Sequence, residues 1–389
     1  MKLEGLRVVD LSLFLPGPYM TLMMADHGAE VIKVEPPGAG DPARAIGQQQ
    51  DGCSVFFRNA NRGKKSVVLN LKSDAGRNAL LDLCASADIF VEGFRPGVVQ
   101  RLGVDYDTVR KRRPDIIYCS ISAFGQSGPY RDRPAHDLAN QSLAGFVSLN
   151  VGSDGRPAMP AIPAADLAAA HMALGAVLMA LFRRTQTGEG DYVDIAMQDS
   201  LLSWAPNVLG PVFAEDRSPR PGLERTLGGG AFYRVYETAD GKYVSLAGQE
   251  PKFVRNLLSE LDRMDLFELC ERGPGAHQQP VIDFLSDVFL QKTRDEWNNW
   301  FEGRDICYAP VLSLKEAHED PHAQARGMAL TADDGLRHVG NPMHFAAEPA
   351  NPDYAAPGYG AHTLEVFERL GYGEDRLSQL RENRGGDER

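Results

Sequence analysis

The chain has 389 residues, 43% of them hydrophobic and 24% charged, and 41 Lys and Arg against 53 Asp and Glu give a formal net charge of −12. These proportions exclude an intrinsically disordered chain and give enough length for two or three domains with a sizeable core. The acidic balance argues against a nucleic-acid partner, which needs a basic footprint, but leaves room for a small anion held by a local cluster of positive charge.

Met1 to Gly5 lead straight into a strand-like run at 6–11, a pattern that predicts no signal peptide. Pro16-Gly17-Pro18 breaks that run, 19–27 reads as helix, Gly28 stops it, and 29–34 reads as a second strand. Residues 66–71 alternate, 75–85 read as helix, and 88–91 and 116–121 are further apolar strands. This rhythm predicts an α/β fold with a mostly parallel sheet covered by helices and strands buried on both faces. Residues 166–183 form a helix apolar almost all round, which belongs in the middle of a protein or at a large interface. Asp166 and His171 interrupt the longest apolar run, 164–182, so no membrane span is expected. Residues 192–197 are again strand-like.

A Pro-, Gly- and Arg-rich stretch at 207–230 predicts a linker closing a first domain at 1–206. Asp240-Gly241 between strands at 232–237 and 242–246 signals a hairpin, and helices are predicted at 252–261, 280–291 and 294–301. A smaller α+β domain is therefore expected over 231–330. Residues 331–389 run extended through 341–359 and close in polar helices at 364–370 and 375–381, with 384–389 frayed. Cys53, Cys84, Cys119, Cys270 and Cys307 are widely spaced with no C-x-x-C pair, so no disulfide framework or metal site is expected and a reducing cytoplasm fits.

Gly-rich dinucleotide and phosphate loops, the serine-hydrolase elbow and the H-E-x-x-H zinc motif are all absent. Three acid–base candidates stand out. Asp166 at the start of the apolar helix reads as an N-cap, or as an ionised carboxylate acting as nucleophile or base. His136 beside Asp137 reads as a helix start with Asp137 capping, or as a tuned proton carrier. Glu250 before Pro251 reads as a residue favoured by a helix dipole, or as a third acid–base group. Arg58, Arg62, Lys64 and Lys65 crowd together, with Lys72, Arg95 and Arg101 following, a local positive excess suited to phosphates or to a solvated face.

Ordered blocks resemble the family III CoA-transferases (CaiB/BaiF). They are Pro16-Gly17-Pro18, Gly28 to Glu35, Asn61-Arg62-Gly63-Lys64-Lys65-Ser66, Phe94-Arg95-Pro96-Gly97, Gly125-Gln126-Ser127-Gly128-Pro129, and Thr187-Gly188-Glu189-Gly190. The resemblance implies an interlocked homodimer whose large Rossmann-like domain is built from both chain ends, with the small domain between two extended linkers. It implies acyl-CoA and a carboxylic acid as substrates, and no permanently bound cofactor. Asp166 would be the catalytic carboxylate, forming first an anhydride and then a CoA thioester. Leu69, Lys72, Phe94 and Arg101 would hold the CoA, with Arg62 and Leu15 at further cofactor-facing positions. Leu15 stands where formyl-CoA transferase has glutamine, which argues against a formyl-specific enzyme. The superfamily also contains α-methylacyl-CoA racemase, and that branch would use His136 and Asp166 as two bases, with Glu250 in a similar block.

Overall fold

A computed structural model describes residues 1–152 and 154–382; the expected fraying of 384–389 lies outside them. The chain divides into two compact units, one of residues 1–144, 161–203 and 321–389, the other of 145–160 and 204–320. The sequence reading placed 145–160 in the large domain and drew the small one at 231–330; the structure groups 145–160 with 204–320 instead.

In the first unit, β1 (Arg7–Asp10) leads to α1 (Pro16–Asp26) and β2 (Glu30–Glu35). Then follow α2 (Val55–Asn61), β3 (Lys65–Val68), α3 (Asp74–Cys84) and β4 (Ile89–Glu92). Next come α4 (Val98–Leu102), β5 (Ile117–Ser122), α5 (Asp137–Leu143), α6 (Ala164–Thr187) and β6 (Asp191–Ala196). The six strands form one parallel sheet in the order β3-β2-β1-β4-β5-β6, the doubly wound order. Every residue of β4 and β5 is buried, as expected of strands covered on both faces. The order reverses between β1 and β4, so a crevice opens beyond their carboxyl ends.

The strand ends before Pro16, as expected, and Pro16 begins the helix three residues earlier than expected. It opens α1 at the first helical position, where a missing N–H costs nothing and φ is already set. Gly17 is required there, because a Cβ would lie 2.1 Å from Ser12 Oγ. Helix α6 is Ala-rich and 24 residues long, long and apolar enough to cross a membrane by length and composition alone. Its small residues Ala165, Ala168, Ala169 and Ala173 are fully buried, as in the core helix of a packed domain.

The second unit carries the antiparallel hairpin β7 (Tyr233–Glu237) and β8 (Tyr243–Ala247), extended by β9 (Tyr308–Pro310). Helices α7 (Pro251–Glu260), α8 (Gln279–Phe289) and α9 (Arg294–Phe301) cover a core containing Phe232, Leu257, Phe289 and Trp297. A capping box between Thr293 and Glu296 starts α9. The stretch read as an extended linker at 207–230 contains a short helix, Gly210–Glu215. The chain end belongs to the first unit, where α10 (Thr363–Arg369) and α11 (Glu374–Glu382) add Val366, Phe367, Leu377 and Leu380 to the core beneath Leu80 and Phe90.

A buried ionic network fixes the ends of β1 and β2. Lys33 Nζ pairs with Asp41 at 2.8 Å and donates to Ser12 O at 2.8 Å, both side chains being fully buried. Lys64 Nζ pairs with Asp10 at 3.2 Å and donates to Pro18 O and Asn61 Oδ1. Asp10 also accepts from Ser12 and Thr21. Burial alone would raise Asp10, but Lys64 and Lys33 outweigh it and hold the carboxyl below its usual range. Lys33→Met should leave Asp41 buried without its counterion and cost about 3–5 kcal/mol, read as a lowered urea midpoint, with Lys33→Met/Asp41→Leu recovering much of it.

Candidate functional site

Two neighbouring cavities open at the crevice of the first unit and share Leu13, Phe94 and Val98 as walls. The first, about 490 Å³, lies over the ends of β1, β2 and β3. Leu11, Pro36, Pro37, Leu71 and Leu102 make it apolar, and Lys72 supplies a cation. Gly76 lets α3 close onto its wall, since a Cβ would lie 2.2 Å from Asn70 O. An apolar slot with one lysine suits a flat ring carrying phosphate.

The second cavity, about 450 Å³, is lined by Phe14, Arg95, Arg131, Arg133, His136 and Asp166, among others. Asp41 Oδ1 accepts from the Phe14 N–H at 3.2 Å and holds Phe14 at φ 62°, a left-handed conformation that L side chains rarely adopt. The Phe14 ring meets His136 edge-on, with centroids 6.0 Å apart. Behind the lining, Glu92, 1% exposed, accepts from Phe94 N at 2.8 Å and so fixes that residue, and burial pushes its carboxyl up to about 7.

Asp166 is not the N-cap of α6. Pro163 occupies that place, and Asp166 is the third helical residue. The end of α6 is closed from another helix: Asp137 Oδ1 accepts from Ala165 N at 2.8 Å and Asp166 N at 3.3 Å. Asp137 Oδ2 accepts from Gln141 Nε2 at 2.6 Å. The half-buried Asp166 carboxylate therefore makes no hydrogen bond or ion pair among the described residues. The expectation that a helix start would keep it firmly ionised fails: burial, with the negative Asp137 beside it, pushes its carboxyl up to about 7. A carboxyl held near neutrality serves as nucleophile or as proton carrier.

The other expected residues divide. Leu69, Lys72 and Phe94 line the apolar cavity. Arg101 is exposed on α4, one residue before the lining Leu102. Leu15 precedes α1 and lines neither cavity, whereas its neighbours Leu13, Phe14 and Pro16 line the second. Arg62 points inward instead: it is 2% exposed and pairs with Asp26 at 2.8 Å. Arg58 and Lys64 are buried as well, and Lys65 pairs with Glu30 and Glu365, so the crowded basic segment stabilises the fold and lines neither cavity. Glu250 belongs to the second unit, exposed at the N-cap of α7 with no side-chain capping bond. The sequence reading missed Arg131, the cap from Asp137 and its support by Gln141. The Asp137–Gln141 spacing of four on a helix was the available signal.

All five cysteines are free, and no group of three His, Cys, Asp or Glu that could hold a metal occurs among the described residues. A model of CoA-transferase family III matches residues 3–363. The chain is 32% identical over 388 residues to an alpha-methylacyl-CoA racemase of Homo sapiens, covering 98% of this chain and 96% of that protein. It is 31% identical over 392 residues to a succinyl-CoA:glutarate CoA-transferase of Mus musculus, covering 97% and 88%. Its fold matches the crystal structure of a CAIB/BAIF family protein from Brucella suis with TM-score 0.82 and 28% identity, covering 95% of this chain and 99% of that one.

Because the folded protein holds the Asp166 proton to a higher pH than the unfolded chain, this group favours folding at low pH and opposes it as pH rises through about 7. Asp166→Asn should thus be more stable than the parent at pH 8, by up to about 4 kcal/mol, with the difference closing toward pH 4 in urea unfolding.

Proposed function

The chain belongs to CoA-transferase family III, and from that premise we propose that it moves CoA from an acyl-CoA to a second carboxylic acid through Asp166. The observation that carries this reading is the charge around the carboxylate. Arg131 and Arg133 line the cavity that Asp166 lines, and neither forms an ion pair among the described residues. A guanidinium left without a carboxylate partner suits an incoming carboxylate and has no use for a purely hydrocarbon acyl chain. The apolar cavity with Lys72 takes the nucleotide end of CoA, and Arg95, in the second cavity beside the shared wall residue Phe94, takes a phosphate or carboxylate.

The Asp166 carboxylate attacks the thioester carbonyl and expels CoA thiolate, leaving a mixed anhydride. The thiolate then attacks the Asp166 carbonyl, forming an aspartyl-CoA thioester and releasing the donor acid, which carries away one Asp166 oxygen. The acceptor carboxylate attacks that thioester and expels the thiolate again. The thiolate takes the acceptor's acyl carbonyl, and Asp166 is regenerated with an oxygen from the acceptor. Each hard exchange is thereby divided into easier steps.

A second reading has its own support: His136 and Asp166 line one cavity, and a carboxyl near 7 is well tuned to take and return an α-proton. In that reading they act as the two bases of a 2-methylacyl-CoA racemase. We also propose a homodimer, because Met172, Met179 and Phe182 leave an apolar stripe exposed on α6.

An ¹⁸O-labelled acceptor acid decides between the reactions. Transfer predicts a gain of two mass units on the Asp166 peptide after turnover with an acyl-CoA, and a thioester there trapped by hydroxylamine. Racemisation predicts no label on Asp166 and deuterium at the α-carbon in deuterium oxide without any acid. For the transferase, Arg131→Gln should raise the acceptor KM roughly tenfold or more with little change in the acyl-CoA KM, the loss expected for one charge-assisted hydrogen bond.

A further inference from the structure

Asp137 is the charged neighbour that both the packing and the hydrogen bonding of Asp166 lead back to. It stands in the first turn of α5, whose N-cap is His136. One of its oxygens receives the first free amides of α6 and the other receives the Gln141 amide, so its carboxylate is held at both ends. Gln141 is itself anchored: it is 3% exposed and donates to Ile162 O at 3.0 Å. An aspartate in the first turn of a helix ordinarily folds back onto open amides. In α6 those amides are already taken.

We propose that Asp137 is the positioning residue of Asp166: by capping α6 in its place, with Gln141 as support, it leaves the Asp166 carboxylate unbonded and turned into the cavity. This rests on the reading of Asp166 as the reacting group. Its negative charge adds to burial in making Asp166 hold its proton, while His136 from the start of α5, Arg95 from the loop after β4, and Arg131 and Arg133 from the loop after β5 face the same cavity. Asp137 thus has two separable effects, one geometric and one electrostatic.

The variants Asp137→Asn and Asp137→Ala separate them. Asparagine keeps an oxygen for the α6 amides and can donate to a turned Gln141 side chain, but carries no charge. Alanine removes the cap and frees those amides for Asp166. The readout independent of turnover is the pH dependence with which a small diazo ester labels protonated Asp166, followed by peptide mass spectrometry on the full-length protein. In Asp137→Asn the labelling midpoint should fall by about one pH unit, and the acid limb of the pH–kcat profile should move with it while the acyl-CoA KM stays unchanged. In Asp137→Ala, kcat should fall about a hundredfold, and asparagine should restore most of it. A labelling midpoint that does not move in Asp137→Asn, or a kcat within threefold of the parent in Asp137→Ala, overturns the proposal. If the midpoint moves as expected while no protein transfers CoA, the proposed reaction fails and the positioning by Asp137 stands.

Discussion

Two lysines that water cannot reach organise the end of the sheet where the cavities open. A buried ammonium needs a counterion for its charge and hydrogen-bond acceptors close at hand. Lys33 meets that demand with Asp41 and Ser12 O, and Lys64 with Asp10, Asn61 Oδ1 and Pro18 O. The two carbonyls lie on either side of the turn that carries Leu13 and Phe14, so the need to satisfy two cations fixes the backbone between them. Asp41 continues the chain of contacts, accepting from the strained Phe14 and donating its own N–H to Glu35. Glu35 in turn binds Arg44 and Ser66, whose hydroxyl accepts from Gly360 N. The walls of the site are held by electrostatic satisfaction where ordinary domains rely on apolar packing.

The strands of the large sheet were legible because strands buried on both faces are apolar at successive positions, and the hairpin because Asp240-Gly241 has few other uses. The failures have physical reasons. The strand run ends before Pro16 as expected, but the helix expected from residue 19 already starts at Pro16, because a proline's fixed φ suits the first helical position. Residues 145–160 are rich in Gly, Pro and Ser, which marks a loop but not the unit it joins, and their grouping depends on contacts distant in sequence. Asp166 was expected to cap the helix it stands in, and the cap comes from Asp137, 29 residues earlier. Local sequence shows that an amide row needs an acceptor, and only the tertiary structure shows which carboxylate arrives.

Charge shows the same division. Arg58, Arg62 and Lys64 belong to a basic segment of an acidic chain, and all three side chains turn inward. The positive lining of the cavity comes from Arg95, Arg131 and Arg133, on two loops brought together by adjacent strands β4 and β5. Clustering along a chain measures proximity in sequence; a field at a site depends on which charged side chains are left without a counter-charge in space. In a protein of net charge −12, three such guanidiniums near one another mark the cavity more sharply than a longer basic segment would.

The return of α10 and α11 to the first unit bears on how the protein is made. Val366 and Phe367 pack in the same core as Val9 and Phe90, and Lys65 pairs with a glutamate 300 residues further on. During synthesis the first six strands emerge long before the segment that completes their core. The second unit, continuous from 204 to 320 apart from its short early piece, is finished first. The nascent sheet must therefore wait with an open apolar face until α10 and α11 have been made, a long-range closure that slows folding and exposes the intermediate to aggregation. Loss of α10 and α11 alone would leave every cavity-lining side chain in the sequence and yet open the core on which the sheet beneath those cavities rests.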